Sequence, residues 1–233
     1  MMMNNKNLMK KQNNPVWLNL GCGVSLADSP FINVDNYFTL EDLKEGQRTK
    51  KGMFKNARVT ENTQFIKADI TKLPFKDNYA DYIECNDVIE HQPMRMVPDV
   101  LKEMYRVLKP GGKLGIGTTN FDELARLWTI NVTGNLLKTQ EDWSRYLKLC
   151  QIIYGNQSGG DQGLGGEFHK AAFNPPTIAY YLQTAGFKLE NIIINIFPTN
   201  SPSRPPQKAY NHLKVDLENT VVLSEMMFCE CVK

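Results

Sequence analysis

The chain has 233 residues, of which 42% are hydrophobic, and its formal net charge is +2 at pH 7. This length supports one large domain with a full core, and the charge is too small to predict a nucleic acid or an anionic membrane as a partner. The sequence contains no run of about 18 apolar residues, so we expect no transmembrane helix.

The first 14 residues are rich in Met, Asn and Lys and lack the apolar stretch of a secretory signal. We expect residues 1–14 to form a mobile arm and residues 15–233 to form a single domain. The five cysteines are odd in number and scattered, which is typical of reduced thiols in a cytoplasmic protein. Cys229 and Cys231 would share one face of a strand, but no His or further Cys lies nearby, so packing is favoured over a metal site.

Apolar runs predict seven strands, at 16–20, 31–34, 64–68, 82–85, 113–118, 187–197 and 221–232. Helical spacing predicts helices at 98–109, 121–130, 141–154 and from Asn174 to Gly186, and a surface helix within 39–58. Residues 109–112 (KPGG) have the chemistry of a turn. The link between the first two strands is short, so we expect an abbreviated crossover helix there. Strands that alternate with helices predict a mostly parallel sheet, and the two closing strands, joined by a loop, suggest an antiparallel edge.

The most informative motif is the turn Gly21-Cys22-Gly23 after the first strand, followed by Asp35 at the end of the second strand. Glycines let the backbone approach a ligand closely, and the acid can accept hydrogen bonds from ribose hydroxyls. The dinucleotide fingerprint requires a third glycine, where this chain has Leu26, and an acid about 20 residues further on. The pattern therefore favours an adenosine ligand without phosphates, although a plain tight turn also remains open.

Seven segments, taken together and in this order, resemble the class I S-adenosylmethionine-dependent methyltransferases, in particular the type 11 methyltransferase-domain group. They are 18–23 (LNLGCG), 33–35 (NVD), 68–75 (ADITKLPF), 81–91 (DYIECNDVIEH), 103–113 (EMYRVLKPGGK), 168–170 (FHK) and 182–187 (LQTAGF). The resemblance covers roughly residues 16–190. It implies a Rossmann-like, doubly wound α/β sheet of seven strands, mostly parallel with an antiparallel C-terminal strand, and helices on both faces. It also implies a lid or substrate insertion at about 120–175.

The resemblance implies S-adenosyl-L-methionine as cofactor and a set of residues around it. The turn residues would line its methionyl and ribose side, Asp35 would bind the ribose, and Asp69 and Ile70 would flank the adenine. The full set of cofactor-binding residues that the resemblance implies is Leu20, Gly21, Cys22, Gly23, Asp35, Asp69, Ile70, Asn86, Asp87 and Val88. The family's first strand often has an acid where this chain has Asn19, which implies a functional site of weaker affinity.

Two histidines are candidate catalytic bases. His169 follows a glycine-rich loop, and an imidazole can accept a proton from a hydroxyl or an amine near neutral pH. One interpretation is that Glu90 and His91 position their loop through hydrogen bonds to nearby backbone; the alternative places His91 at the substrate mouth. Three residues flank the same glycine-rich loop and could contact a polar acceptor: Tyr154, Gln157 and Asp161. Cys22 is interpreted as a small packing residue and not as a nucleophile, and Trp128 and Trp143 as core or lid packing.

These features predict a methyltransferase whose acceptor is a small molecule, a sugar or a biosynthetic intermediate, with neither a nucleic acid nor a membrane as partner. A non-catalytic, cofactor-binding partner subunit of a methyltransferase complex is the alternative. A nicotinamide-dependent oxidoreductase is disfavoured by Leu26 and by the early position of Asp35.

Overall fold

The computed structural model describes residues 15–49, 57–129, 139–155, 168–196 and 226–233. They form one seven-stranded sheet in the order β3-β2-β1-β4-β5-β7-β6. The strands are β1 (Trp17–Leu20), β2 (Phe31–Asp35), β3 (Gln64–Lys67), β4 (Ala80–Asn86), β5 (Leu108–Thr119), β6 (Ile192–Ile196) and β7 (Met226–Val232). Strand β7 runs antiparallel to β5 and β6, and the other neighbouring pairs are parallel. The predicted sheet with a reversed last strand is confirmed.

The described helices are α1 (Leu40–Thr49), α2 (Val97–Val107), α3 (Phe121–Trp128), α4 (Gln140–Tyr154) and α5 (Pro175–Ala185). Helices α2 and α5 pack on each other, and their buried apolar stripes contribute to the main core. Residue Ile66 of β3 packs against the main hydrophobic core, whereas its neighbour Phe65 packs in a second, smaller hydrophobic cluster that includes Leu43 of α1. Because successive strand residues point to opposite faces, α1 covers the face opposite α2 and α5. None of the helices in the described ranges is long and apolar enough to cross a bilayer.

Helix α5 begins and ends where its sequence predicts. Asn174 accepts a hydrogen bond from the Thr177 amide at 3.1 Å, and the Thr177 hydroxyl closes the reciprocal half of a capping box. Pro175 occupies the first turn, where no amide hydrogen is needed. Gly186 follows the helix with φ of +120°, a conformation that glycine adopts without strain.

The link between β1 and β2 contains no helix at all, and two asparagine side chains hold it in place. Asn33 is fully buried; its Oδ1 accepts from the Ala27 amide and from Asn19 Nδ2, both at 2.9 Å. Its Nδ2 donates to the Ala27 and Gln64 carbonyls at 2.7 and 2.9 Å. Asn19 Nδ2 also donates to the Ser25 carbonyl at 2.9 Å. An acid at position 19 would have no proton to donate, so the amide suits a crossover that lacks a helix.

Two predicted boundaries differ from the structure. Strand β5 begins at Leu108, so residues 109–112, predicted as a turn, form a bulged stretch between the pairs Ala80–Leu108 and Tyr82–Lys113. Main-chain bonds from Gly111 to Lys233 and from Lys233 to Gly112 hold this stretch beside Lys233, and Gly111 has φ of +79°, the positive value that a glycine after proline takes in a turn. The sixth strand begins at Ile192 and not at residue 187, because a 3-10 turn occupies 189–191; residue 197 lies outside the described residues. The predicted arm at 1–14 and the predicted strand residues 221–225 lie outside the described residues.

Candidate functional site

The carboxyl ends of β1, β2 and β4 meet where the strand order reverses, between β1 and β4. In doubly wound sheets this is the point at which ligands bind. The Gly21 and Cys22 amides both donate to the Val34 carbonyl, at 2.8 and 3.2 Å, which bends the chain sharply after β1. Gly21 has φ of +65°, and a Cβ at this position would overlap the side chain of Val88. The first glycine of the motif is therefore required by packing.

The second glycine lies beside Asp35, the acid that the sequence predicts to bind the ribose. The Gly23 amide donates to Asp35 Oδ2 at 2.9 Å, and the Tyr37 amide donates to Oδ1 at 2.8 Å. Gly23 has φ of +50°, but a Cβ built there would find no atom within 4 Å. Since a carboxylate oxygen accepts more than one hydrogen bond, Asp35 retains acceptor capacity next to this open space. The pair forms a cradle that fits a ligand carrying neighbouring hydroxyl groups.

Asp69 and Ile70, predicted to flank an adenine, follow β3. Asp69 is exposed, and its Oδ1 accepts from the Thr71 amide and hydroxyl at 2.8 and 2.7 Å. In the described part of the chain its Oδ2 makes no hydrogen bond, so the side chain orders its own turn with one oxygen and keeps the other for a ligand. Ile70 is buried in the main core, so only its edge and main chain can line the site.

The remaining predicted cofactor residues lie at the ends of β1 and β4. Leu20 is fully buried, so only its main chain can contact a ligand. Asn86 Nδ2 donates to Glu84 Oε1 at 2.5 Å, and the Asp87 amide donates to the Gly117 carbonyl at 2.9 Å. Asp87 has φ of +53°, an unusual conformation for a non-glycine residue, and such strain is common at functional sites. Val88 packs beneath Gly21.

Cys22, the central residue of the turn, is buried, and its Sγ lies 3.7 Å from the Gly23 carbonyl oxygen. Burial, and next the charge of Asp35, hold the pKa of this thiol well above its usual value. A neutral thiol is a poor nucleophile. These properties support the interpretation of Cys22 as a small packing residue.

The two histidines predicted as bases are in direct contact, which the sequence did not indicate. The His91 and His169 rings meet edge to face, with their centroids 4.8 Å apart. His91 Nδ1 lies 3.2 Å from the Phe168 carbonyl oxygen, and the His169 amide donates to the Tyr154 carbonyl at 3.1 Å. Burial, followed by the neighbouring His169, lowers the pKa of His91 to about 4. Burial also lowers the pKa of His169, although the charge of Asp87 opposes this. Both rings are therefore neutral at pH 7 and able to accept a proton.

Among the other residues predicted around the acceptor, Tyr154 and its neighbour Phe168 are about half exposed, at 51% and 47%. The two lie side by side because Gly155 forms a β-bridge with Phe168. Gln157, Asp161 and the side chain of Trp143 lie outside the described residues. Trp128 packs against Tyr146 with ring centroids 5.6 Å apart, in accordance with its predicted packing role.

Sequence reasoning missed a buried polar group behind the histidines. Glu90 is fully buried, and neither of its carboxyl oxygens makes a hydrogen bond within the described residues. Thr118 Oγ1 and Asn120 Oδ1, at the end of β5, are also buried without a partner there. Glu90 does position its loop, as the sequence suggested, because its main-chain carbonyl accepts the Lys170 and Ala171 amides. The burial of the Glu90 side chain against the end of β5 is a long-range contact, which the local sequence pattern does not predict.

Comparisons with known proteins agree with this geometry. A family profile described as a methyltransferase domain matches residues 18–116. The chain is 36% identical over 114 residues to a demethylmenaquinone methyltransferase of Listeria monocytogenes, which covers 46% of each chain. It is 26% identical over 185 residues to a ubiquinone/menaquinone biosynthesis C-methyltransferase of Vibrio cholerae, which covers 72% of this chain and 67% of that protein. The match to the Listeria relatives thus spans about half their length.

Solved structures share the fold at low sequence identity. An S-adenosylmethionine-dependent methyltransferase of Methanosarcina mazei superposes with a TM-score of 0.50 and 15% identity, over 100% of this chain and 99% of that one. A possible histamine N-methyltransferase of Thermotoga maritima gives a TM-score of 0.50 and 16% identity, over 98% and 86% of the two chains. By its ordered motifs, its sheet topology and the family profile that matches residues 18–116, the chain is similar to the class I S-adenosylmethionine-dependent methyltransferases.

Proposed function

We propose that this protein transfers a methyl group from S-adenosyl-L-methionine to a small-molecule acceptor. The observation that carries this proposal is the cradle at the switch point of the sheet. There Gly23 faces open space while Asp35 is held beside it by two backbone amides. A dinucleotide would need the third glycine that Leu26 replaces, whereas a cofactor without phosphates needs only the close backbone approach and the acid.

In this proposal each strand end contributes one part of the cofactor site. Asp35 accepts hydrogen bonds from the two ribose hydroxyls, and the turn at Gly21 and Gly23 admits the methionyl portion. Asp69 accepts from the adenine amino group through Oδ2, and the residues from Asn86 to Val88 border the reacting end.

When bound, the cofactor supplies the electrophilic methyl group, so the protein needs mainly to orient the acceptor and remove its proton. His91 and His169 serve the second task because burial keeps both imidazoles neutral at pH 7. His169 is the better candidate for direct contact, because it follows the half-exposed Phe168 and its main-chain amide bonds to the half-exposed Tyr154.

The acceptor side favours a compound with an apolar ring that carries an ionisable hydroxyl or amine. Tyr154 and Phe168 offer apolar surface beside two neutral imidazoles. The relatives named as menaquinone and ubiquinone methyltransferases fit such an acceptor class. We further infer a cytoplasmic location, since all five cysteines are free thiols.

The test is an acceptor screen with S-adenosylmethionine, in which formation of S-adenosylhomocysteine is followed by mass spectrometry. Separate pools contain phenols and quinols, amines, and sugars. We expect turnover with the ring-containing pools and a loss of about 100-fold in His169→Asn. Asn62→Ala, an exposed asparagine in the turn before β3, is the matched control and should keep full activity.

Two results would contradict parts of the proposal. Protein that binds S-adenosylhomocysteine but turns over with no pool would support a non-catalytic, cofactor-binding subunit. Full activity in His169→Asn would remove this histidine from the mechanism.

A further inference from the structure

Glu90 lies where two segments cross behind the histidine pair. It is the middle residue of the 3-10 turn Ile89–His91, which follows β4. Its main-chain carbonyl accepts the Lys170 amide at 2.7 Å and the Ala171 amide at 3.0 Å. These two bonds fix the segment that carries His169 against the turn that carries His91. The edge-to-face contact between the two rings therefore depends on where Glu90 is held.

The buried carboxyl group of Glu90 lacks, among the described residues, the hydrogen-bond partners that a buried acid normally has. Its two oxygens, Thr118 Oγ1 and Asn120 Oδ1 are all buried and unpartnered in the described residues. If Glu90 were ionised, the Thr118 hydroxyl and the Thr119 amide could donate to it, but the carboxylate would be a buried charge with no ion-pair partner among the described residues. A protonated Glu90 removes this buried charge and supplies an additional donor for the buried oxygens around it.

We propose that Glu90 is a positioning residue for the His91–His169 pair. Its carboxyl group stays protonated in the folded protein and ties the 89–91 turn to the end of β5, while its carbonyl holds the segment that carries His169. This statement concerns the arrangement of the pair. Only the use of the pair as a proton acceptor rests on the proposed function.

The charged and titratable groups around Glu90 agree with a neutral acid. Asp87 and Cys85 approach from β4 and its end, His91 from the same turn, and His169 and Lys170 from the crossing segment. From β5, Thr118 and the Thr119 amide favour the ionised form, but burial and the charge of Asp87 outweigh them and raise the pKa of Glu90 to about 8. The neighbouring carboxylate of Asp87 therefore adds to the effect of burial.

The test is a histidine titration by NMR on the full chain without cofactor or acceptor, so its outcome does not depend on the proposed function. The variants are Glu90→Gln, which keeps a donor and an acceptor in a neutral group, and Glu90→Ala, which removes both. Ile89→Ala is the matched control, since it creates a cavity on the same turn without touching the polar cluster. We expect Glu90→Gln and Ile89→Ala to keep the low pKa of His91, and Glu90→Ala to move it from about 4 toward its ordinary 6.5.

A second measurement tests the protonated state and remains informative if Glu90→Ala fails to fold. A carboxyl whose pKa is higher in the folded than in the unfolded state loses its stabilising contribution as pH rises between the two values, here from about 4.5 to about 8. The melting temperature of Glu90→Gln should therefore gain on that of the wild type as the pH is raised from 5 to 8. A constant difference across this range would overturn the protonated state, and an unchanged His91 titration in folded Glu90→Ala would overturn the positioning role.

Discussion

The link between β1 and β2, which contains no helix, provides the sharpest stability prediction, because one side chain makes most of the side-chain hydrogen bonds that hold it. Asn33 is fully buried and makes four hydrogen bonds, to the Ala27 main-chain amide and carbonyl, the Gln64 carbonyl and the side-chain Nδ2 of Asn19. Asn33→Ala removes all four at once. The groups left behind lie at the base of the turn that carries Gly21 and Gly23, so stability and cofactor binding should fall together.

The magnitude follows from the groups that lose their partner. Three are main-chain groups in a buried or half-buried setting, and each costs about 1–3 kcal/mol when left unsatisfied. Asn19 retains its bond to the Ser25 carbonyl, so its loss is smaller. Allowing for partial relaxation and water entry, we expect Asn33→Ala to lower the free energy of unfolding by about 3–5 kcal/mol.

Urea denaturation followed by circular dichroism measures this loss directly. Asn62→Ala is the matched control, because Asn62 is exposed and contributes to this region through its main-chain carbonyl, which accepts the Ser29 amide. It should stay within about 0.5 kcal/mol of the wild type. A loss below about 1 kcal/mol in Asn33→Ala would refute the conclusion that this side chain replaces the crossover helix.

The remaining predictions concern the turn glycines and the ion pair between Arg106 and Glu103 on α2. Gly23→Ala should cost about 1 kcal/mol of stability, because of its positive φ, yet abolish S-adenosylhomocysteine binding, since its methyl group enters the open cradle. Gly21→Ala should destabilise the fold more strongly, because its methyl group overlaps Val88; thermal melting and calorimetric titration separate the two effects. Arg106 donates to Glu103 at 2.8 Å and lowers the pKa of that carboxyl. This contribution is present above the ordinary carboxyl pKa and is lost as the pH falls, so Arg106→Gln should lose about 1–2 kcal/mol at pH 7 and show a weaker acid-induced decline in urea titrations at pH 3 to 7. An equal loss of stability with falling pH in the wild type and in Arg106→Gln would contradict the stabilising role of this ion pair.

The parts of the fold that the sequence predicted well are those set by local chemistry. The capping box at Asn174, the glycine after α5 and the strand that ends at Asp35 depend on residues within a few positions of one another. The alternation of strands and helices then limits the sheet to few topologies. The KPGG stretch has the positive φ at Gly111 that its turn chemistry predicts, but it lies within the span of β5, where it bonds to Lys233, more than 100 residues away.

The sequence predicted which candidate residues follow the strands, but it did not predict the contacts that they make. The motif order named Asp35 and the turn glycines, yet the contact of the two histidines joins segments 77 residues apart through Phe168 and His91. From the sequence alone, Asn19 was interpreted only as a departure from the family. Its structural role follows from the parallel pairing of β1 and β2, which places Asn33 opposite it and allows the two side chains to form a hydrogen bond. Such roles follow from contacts between segments that are far apart in the sequence, and these contacts cannot be predicted from a single sequence.

The most direct test of the central claim is calorimetric titration of S-adenosylhomocysteine into the wild type, Asp35→Ala and Glu61→Ala. Glu61 is an exposed acid in the turn before the amino end of β3, whereas Asp35 lies at the carboxyl end of β2, so the Glu61 variant controls for the change in charge. We predict micromolar binding to the wild type and to Glu61→Ala, and an affinity at least tenfold lower, about 1.4 kcal/mol, in folded Asp35→Ala. Equal affinity in all three proteins, or no binding to the wild type at millimolar ligand, would contradict the assignment of this cradle to the cofactor.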